Sequence, residues 1–193
     1  TVYNTMNCDL KDNLGVSLLH VGSCGLHTVH NAFHTGCEAT GWKIEEFLSA
    51  AYRLFEDSPA RLEDYYATTH ATSLPLKFCR HRWLENAVPA MRAIELLPSL
   101  KLFVDAALGK KITLPRNASF EIVKAGVNSP LLACQLSFFA SIARLIEPFL
   151  KKYQSDKPLM PFLATDLQTM LKNLMKKFIK EEALVDAPSL TRI

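Results

Sequence analysis

The spacing of apolar residues predicts helix over most of the chain. In residues 44–55 apolar side chains recur every three or four positions, as in a helix with one face on a core. The same spacing occurs in residues 26–36, 84–97 and 163–178. Residues 131–150 are apolar on nearly every side of a helical wheel. We therefore expect neighbours to bury this helix on several sides.

Helix ends and connections have their own signals. Ser58 followed by Pro59 is typical of an N-cap and a first-turn proline, and it predicts a helix that runs toward His70. Pro89 must lie in a first turn or kink the helix that contains it. Residues 108–119 are the best candidate for an exposed connection.

One stretch, "VSLLHVG" at residues 16–22, is a short apolar run next to glycine. Its length and its flanks favour a buried strand. A single strand among about seven helices cannot satisfy its own backbone donors and acceptors. Either its partner strands lie outside this sequence or the strand prediction is wrong. The prediction is a mainly α chain with one short strand.

Composition narrows the class of protein. The 193 residues are enough for one domain with a core, and 49% apolar with 21% charged residues indicates a globular chain. Arg144 interrupts the longest apolar run, so no uncharged apolar segment reaches the roughly 18 residues that a membrane span needs. We therefore expect no membrane partner. Five irregularly spaced cysteines favour a reducing compartment, nucleus or cytoplasm. The net charge of +3 gives only a weak attraction to polyanions.

The stretch "CGLHTVHNAFH" places four candidate ligands on one helical face: Cys24, His27, His30 and His34. Thiolate and imidazole suit zinc, and Cys79 with His81 could complete a site with Cys24 and His27. The alternative is structural, with Cys24 packed as a small hydrophobe and His27 hydrogen-bonded to a nearby group. A Cys24 nucleophile would need a base and an oxyanion hole, and the sequence offers no support for these beyond the residue types.

The stretch "LPLKFCRHRWLEN" interleaves cations with aromatic residues. Its candidate DNA contacts are Lys77, Arg80, Arg82 and Trp83. Cations bind phosphates, and an exposed aromatic ring can stack on an unpaired base. The alternative is that Trp83 anchors the core and Arg82 pairs with a carboxylate such as Glu85.

The order and spacing of these two stretches resemble the hAT superfamily of DNA transposases. "VGSCGLHTVHNAF" is followed about fifty residues later by "LPLKFCRHRWLEN", with "LFEDSPARLEDY" between them and "FLKKYQSDKPLMPFL" after them. The likeness runs from about residue 7 to residue 179, and it is closest to domesticated, transposon-derived vertebrate proteins of that group.

The resemblance implies an architecture. The catalytic domain of the family is RNase H-like, and a large all-helical insertion interrupts it. On that basis residues 1–38 are a remnant of the RNase H-like core, with its last strand near residues 16–22. Residues 39–193 are the helical insertion domain.

The resemblance also implies roles for two residue pairs. Cys24 and His27 match the C-x-x-H pair of the family, an organising structural pair beside the DNA-processing centre. Arg82 and Trp83 match its R-W pair, whose tryptophan helps to hold a flipped base in active members.

The chemistry of the family needs a D-D-E triad that holds two metal ions for DNA strand transfer. Where the second aspartate is expected, "TVYNTMN" offers Val2 or Tyr3, and Asp9 and Asp12 fall too late in register. The first aspartate, the glutamate and the usual zinc-finger DNA reader would lie outside this sequence. The resemblance thus implies no catalysis and no cofactor.

The expected function is binding by a transposase-derived protein or fragment in the nucleus or cytoplasm. The partner is DNA, held weakly, or a protein, including a second copy of the chain. The alternatives are a helical protein-interaction scaffold with no nucleic-acid role, or a piece of a longer, active hAT transposase.

Overall fold

The computed structural model describes residues 2–17, 24–180 and 182–183, which form helices joined by turns. The α-helices are α1 (Val2–Leu14), α2 (Gly25–Ala39), α3 (Ile44–Phe55), α4 (Pro59–Thr69), α5 (Ala87–Leu108), α6 (Ala118–Val127), α7 (Leu132–Tyr153) and α8 (Leu163–Met175). Short 3-10 turns span Trp83–Asn86 and Met160–Phe162. The described residues contain no strand, and the prediction of a mainly α chain is confirmed.

The predicted strand at residues 16–22 falls largely outside the described part of the chain. Val16 and Ser17 belong to no helix or strand, and residues 18–23 are not described. Next along the chain, α2 packs against α7 and against the Trp83–Asn86 turn. This helix, which lies mostly in the predicted remnant of the RNase H-like core, therefore packs against elements of residues 39–193.

Helices α5 and α7 form the centre of the core. They make the most extensive helix–helix contact among the described residues, and α4, α6 and the Trp83–Asn86 turn also pack on α5. Leu100 and Phe103 of α5 are fully buried, as is Leu136 of α7. Full burial stabilises the fold by about 1.5–3 kcal/mol for each such side chain. The apolar stripe predicted for α7 therefore faces the core.

Helix α5 is longer than its sequence pattern predicts. The pattern ends at Leu97, before a proline, but α5 continues through Pro98 to Leu108. Proline inside a helix costs about 3 kcal/mol. The buried Leu100, Phe103 and Val104 lie beyond it, and their burial outweighs that cost.

The predicted connection at residues 108–119 ends earlier than expected. Helix α6 starts at Ala118, and the Asn117 side chain caps it by accepting a hydrogen bond from the Phe120 backbone amide at 2.8 Å. Phe120 and Val123 are fully buried. The polar stretch before Asn117 thus leads directly into a core helix.

Helices α3 and α6 approach closely at Gly126. A Cβ atom there would lie 2.5 Å from the Phe47 ring and 3.3 Å from the Leu132 side chain. Both neighbours are buried. The contact therefore depends on glycine at this position.

Helix α7 alone among the described helices is long and apolar enough to cross a membrane by length and composition. Core helices meet the same criterion. The rest of the chain buries nine of its residues, namely Leu132, Leu136, Phe139, Ala140, Ile142, Ala143, Ile146, Phe149 and Leu150.

Candidate functional site

Trp83 is an anchor of the core in this structure. Its exposed fraction is 8%. The indole centroid lies 4.2 Å from the His34 ring, 5.2 Å from the Phe78 ring and 6.3 Å from the Phe139 ring. The rings come from α2, α7 and the segment before Trp83. In this conformation the indole makes tilted and edge-on contacts with protein rings, and only a small part of it reaches the surface.

Asn86 fixes the backbone around Trp83. It is fully buried, and its Oδ1 accepts a hydrogen bond from the Cys79 amide at 2.7 Å. Its Nδ2 donates to the carbonyls of Cys79 (2.9 Å), Arg82 (3.2 Å) and Trp83 (3.1 Å). We call residues 77–83 the arginine loop. Asn86 was not among the predicted site residues, although a polar residue directly before an apolar helix is a signal for a backbone-binding side chain.

The three cations of the arginine loop are exposed. Arg80 Nε lies 2.7 Å from Glu45 Oε1, and Arg82 Nη1 lies 3.2 Å from Glu85 Oε1, with arginine side chains 66% and 65% exposed. Lys77 Nζ lies 5.8 Å from the centroid of an aromatic ring in α3. Exposed ion pairs contribute only about 0–1 kcal/mol, so a phosphate can displace these carboxylates.

A polar cleft of about 300 Å³ lies beside the arginine loop. Its charged lining residues are Glu38, Glu45, Glu46, Lys43, Arg53 and Arg80, with His34 at its edge. Carboxylates and fixed cations are equal in number, so the cleft has no excess of positive charge for a polyanion.

Cys24 lies directly before α2 and is exposed. Hydrogen bonds from the backbone and side chain of His27 and from the Leu26 backbone lower the pKa of the Cys24 thiol. Cys24 and His27 are therefore hydrogen-bonded neighbours at the start of α2. The exposed position differs from the packed hydrophobe that the structural alternative expects.

The other histidines of the stretch have separate roles. Burial lowers the pKa of His30, and its Nδ1 has no hydrogen-bond partner among the described residues. His34 Nε2 lies 3.2 Å from Glu38 Oε1, one turn along α2. Across the described ranges no three His, Cys, Asp or Glu side chains form a group that could hold a metal ion. The predicted zinc site of Cys24, His27, Cys79 and His81 is therefore not assembled.

An apolar groove of about 500 Å³ lies between α2, α7 and α8. Side chains of α2, α7 and α8 contribute most of its lining. Among its lining residues are Val29, Phe33, Phe138, Ile142, Leu171 and Leu174, and no lining residue is charged. None of these six residues was among the predicted site residues.

The few polar groups of the groove belong to α2 and its end. Thr28 Oγ1 donates to the Cys24 carbonyl at 3.3 Å, and Thr40 Oγ1 donates to the Cys37 carbonyl at 2.6 Å. Burial raises the pKa of the Cys37 thiol to about 11. The hydroxyls are thus used within the chain, and the groove favours an apolar occupant.

Asp166 connects α8, which lines the groove, to α7. Its Oδ2 accepts a hydrogen bond from the Tyr153 hydroxyl at 2.6 Å and pairs with the Lys152 ammonium. The hydrogen bonds from Lys152 and Tyr153 lower the pKa of Asp166. Desolvation and Asp166 raise the pKa of Tyr153 to about 12. The first turn of α8 is therefore fixed to the last turn of α7.

Comparison with protein-family models, with curated proteins and with solved structures found no match. The arginine loop and the apolar groove are the two surfaces of the described residues that could bind a partner.

Proposed function

We propose that the chain is a non-catalytic helical binding module, and that it binds an apolar helical partner through the groove between α2, α7 and α8. The observation that carries this proposal is the uncharged lining of a groove of about 500 Å³. Apolar concave surfaces are typical of binding sites, and helix-in-groove docking is a common mode of recognition.

We also propose that the module descends from a hAT transposase, with residues 1–38 from the RNase H-like core and residues 39–193 from the helical insertion. The order and spacing of the Cys24–His27 and Arg82–Trp83 pairs support this ancestry. The proposal places the protein inside the cell, in the nucleus or cytoplasm.

The non-catalytic part of the proposal has a direct test. We expect a DNA hairpin incubated with the chain and Mn²⁺ to remain intact, because two-metal strand transfer needs clustered carboxylates. Metal-dependent nicking that is absent with EDTA would overturn this part.

The groove can be tested with the fluorescent dye 1-anilinonaphthalene-8-sulfonate at low protein concentration. We expect the folded chain to enhance dye fluorescence and Ala32→Trp, which fills the groove, to lose most of that enhancement. Val88→Trp adds the same ring at an exposed position of α5 outside the groove, and it should retain the signal. Equal signals from the two variants would contradict the proposal.

A second candidate function is weak DNA binding by the arginine loop. The observation that favours it is the exposure of Lys77, Arg80 and Arg82 on a loop that Asn86 fixes. In this account Trp83 supports the loop from the core, and phosphate contacts supply the affinity.

The DNA candidate predicts a specific salt dependence. In a mobility-shift titration, an Arg80→Ala, Arg82→Ala double variant should reduce the slope of log K against log salt by about 2. The control, Lys111→Ala with Lys172→Ala, removes the same charge from exposed positions elsewhere. If both double variants behave alike, the loop makes no specific contact with phosphates.

A further inference from the structure

Helix α1 has an apolar stripe that the rest of the described chain does not cover. Met6, Leu10 and Leu14 are spaced four residues apart, so they lie along one face. Met6 and Leu14 are 51% and 69% exposed. None of the described side chains of α1 belongs to the hydrophobic core or packs against it, and α1 takes part in none of the extensive helix–helix contacts of the described residues.

A row of small residues on α2 lines the apolar groove. Thr28, Ala32 and Gly36 line it from α2 with the same four-residue spacing, and all three are exposed. The stripe on α1 and the row on α2 each extend over eight residues, or about 12 Å of helix. Large side chains of one helix fit against a row of small residues on another because the backbones can approach closely. The stripe and the groove are therefore complementary in size and in polarity.

We infer that the occupant of the groove is α1 of a second copy of this chain. Within one copy no described residue of α1 lines the groove, and Met6 and Leu14 are exposed while Leu10 is half-buried. When two copies exchange α1, the α1 of each copy lies in the groove of the other. Both stripes and both grooves are then buried, and the dimer is closed by two-fold symmetry. The inference rests on the proposed function, because it names the helical partner of the groove.

The test introduces a charge at the centre of the α1 stripe and another at the centre of the row of small residues on α2. Sedimentation equilibrium should show that the wild-type chain dimerises reversibly. Leu10→Lys in α1 and Ala32→Glu in the groove should each weaken the dimer at least about tenfold, since each buries an unpaired charge. The chain with both substitutions should regain much of the affinity, because the introduced ammonium of one copy then faces the introduced carboxylate of the other.

Asn4→Lys is the matched control, since Asn4 is exposed and lies about 120° around α1 from Leu10. It should dimerise like the wild type. Circular dichroism verifies that every variant remains folded, which we expect because the changed positions lie outside the core.

Three results would overturn the inference: a wild-type chain that is monomeric throughout the titration, a dimer that neither charge weakens, or a monomer in which α1 fills its own groove. The dye assay, repeated in Leu10→Lys, separates this failure from failure of the proposed function. Dye bound by a monomer leaves the groove as a binding site and removes only the second copy as its partner.

Discussion

A buried amide, Asn86, organises the most distinctive stretch of this sequence. The charged and aromatic residues of that stretch attract attention first, but Trp83 lies in the core and Arg82 pairs with Glu85. The four hydrogen bonds of Asn86 determine where these side chains emerge. The residue types could be read from the sequence. Their exposure could not, because it depends on rings supplied by α2 and α7.

The substitution Asn86→Leu should destabilise the fold by about 2–4 kcal/mol, because it leaves buried backbone groups of the arginine loop without partners. Urea unfolding followed by circular dichroism measures the change. Asn173→Ala, at an exposed position of α8, should stay within about 0.5 kcal/mol of the wild type. A loss as small as that of the control would show that water replaces the Asn86 side chain.

At the scale of helices, apolar periodicity predicted α3 and α7 well, because each has a continuous stripe that the core buries. It placed the end of α5 too early because the local cost of Pro98 is visible in the sequence and the burial of Phe103 is not. It missed α6, a helix of 10 residues, although Phe120, Val123 and Val127 have helical spacing. Short helices depend on their tertiary contacts, in this case with α3.

Two helical glycines, Gly126 in α6 and Gly36 in α2, should respond to alanine substitution in opposite directions. Gly126→Ala should destabilise the fold by about 1–3 kcal/mol, because its methyl group would overlap the buried Phe47 ring. Gly36→Ala, in the last turn of α2 with no described neighbour near its Cβ position, should stabilise by less than about 1 kcal/mol. Denaturant midpoints measure both changes. Equal shifts would mean that α6 moves to accommodate the methyl group.

The α7–α8 contact should depend on pH. The folded-state pKa of Asp166 lies below its ordinary value of 3.8. Its contribution is therefore complete above the ordinary value and is lost as the pH falls through the lowered value. Hydrogen exchange corrected for intrinsic rates should show α8 losing protection in acid. Asp166→Asn should remove this dependence, whereas Asp156→Asn, at an exposed position, should preserve it.

On the scale of the whole molecule, stability is distributed unevenly. Helices α5 and α7 bury many of the largest side chains, whereas the described side chains of α1 contribute none to the core. The groove is also a whole-molecule property, because α2 and α8 are more than a hundred residues apart in sequence. Local periodicity shows that each of these helices has an apolar face. It does not show that the faces of α2 and α8 stay apart.

This distribution predicts the order of amide exchange at dilution. The amides of α5 and α7 should exchange slowest, with protection near that of global unfolding, and those of α1 should exchange almost freely. Hydrogen–deuterium exchange with peptide mass analysis measures this order. Protection of α1 that rises with protein concentration would support the exchange of α1 between copies, and strong protection at every concentration would contradict it.

The thiol of Cys37 lines the groove, and burial raises its pKa to about 11. The thiol of Cys24 is exposed and has a lowered pKa. Alkylation with iodoacetamide should therefore label Cys24 early and Cys37 late, since the thiolate is the reactive form. Because any occupant of the groove would shield Cys37 further, the ratio of the two labelling rates is an internal gauge of occupancy that needs no added probe.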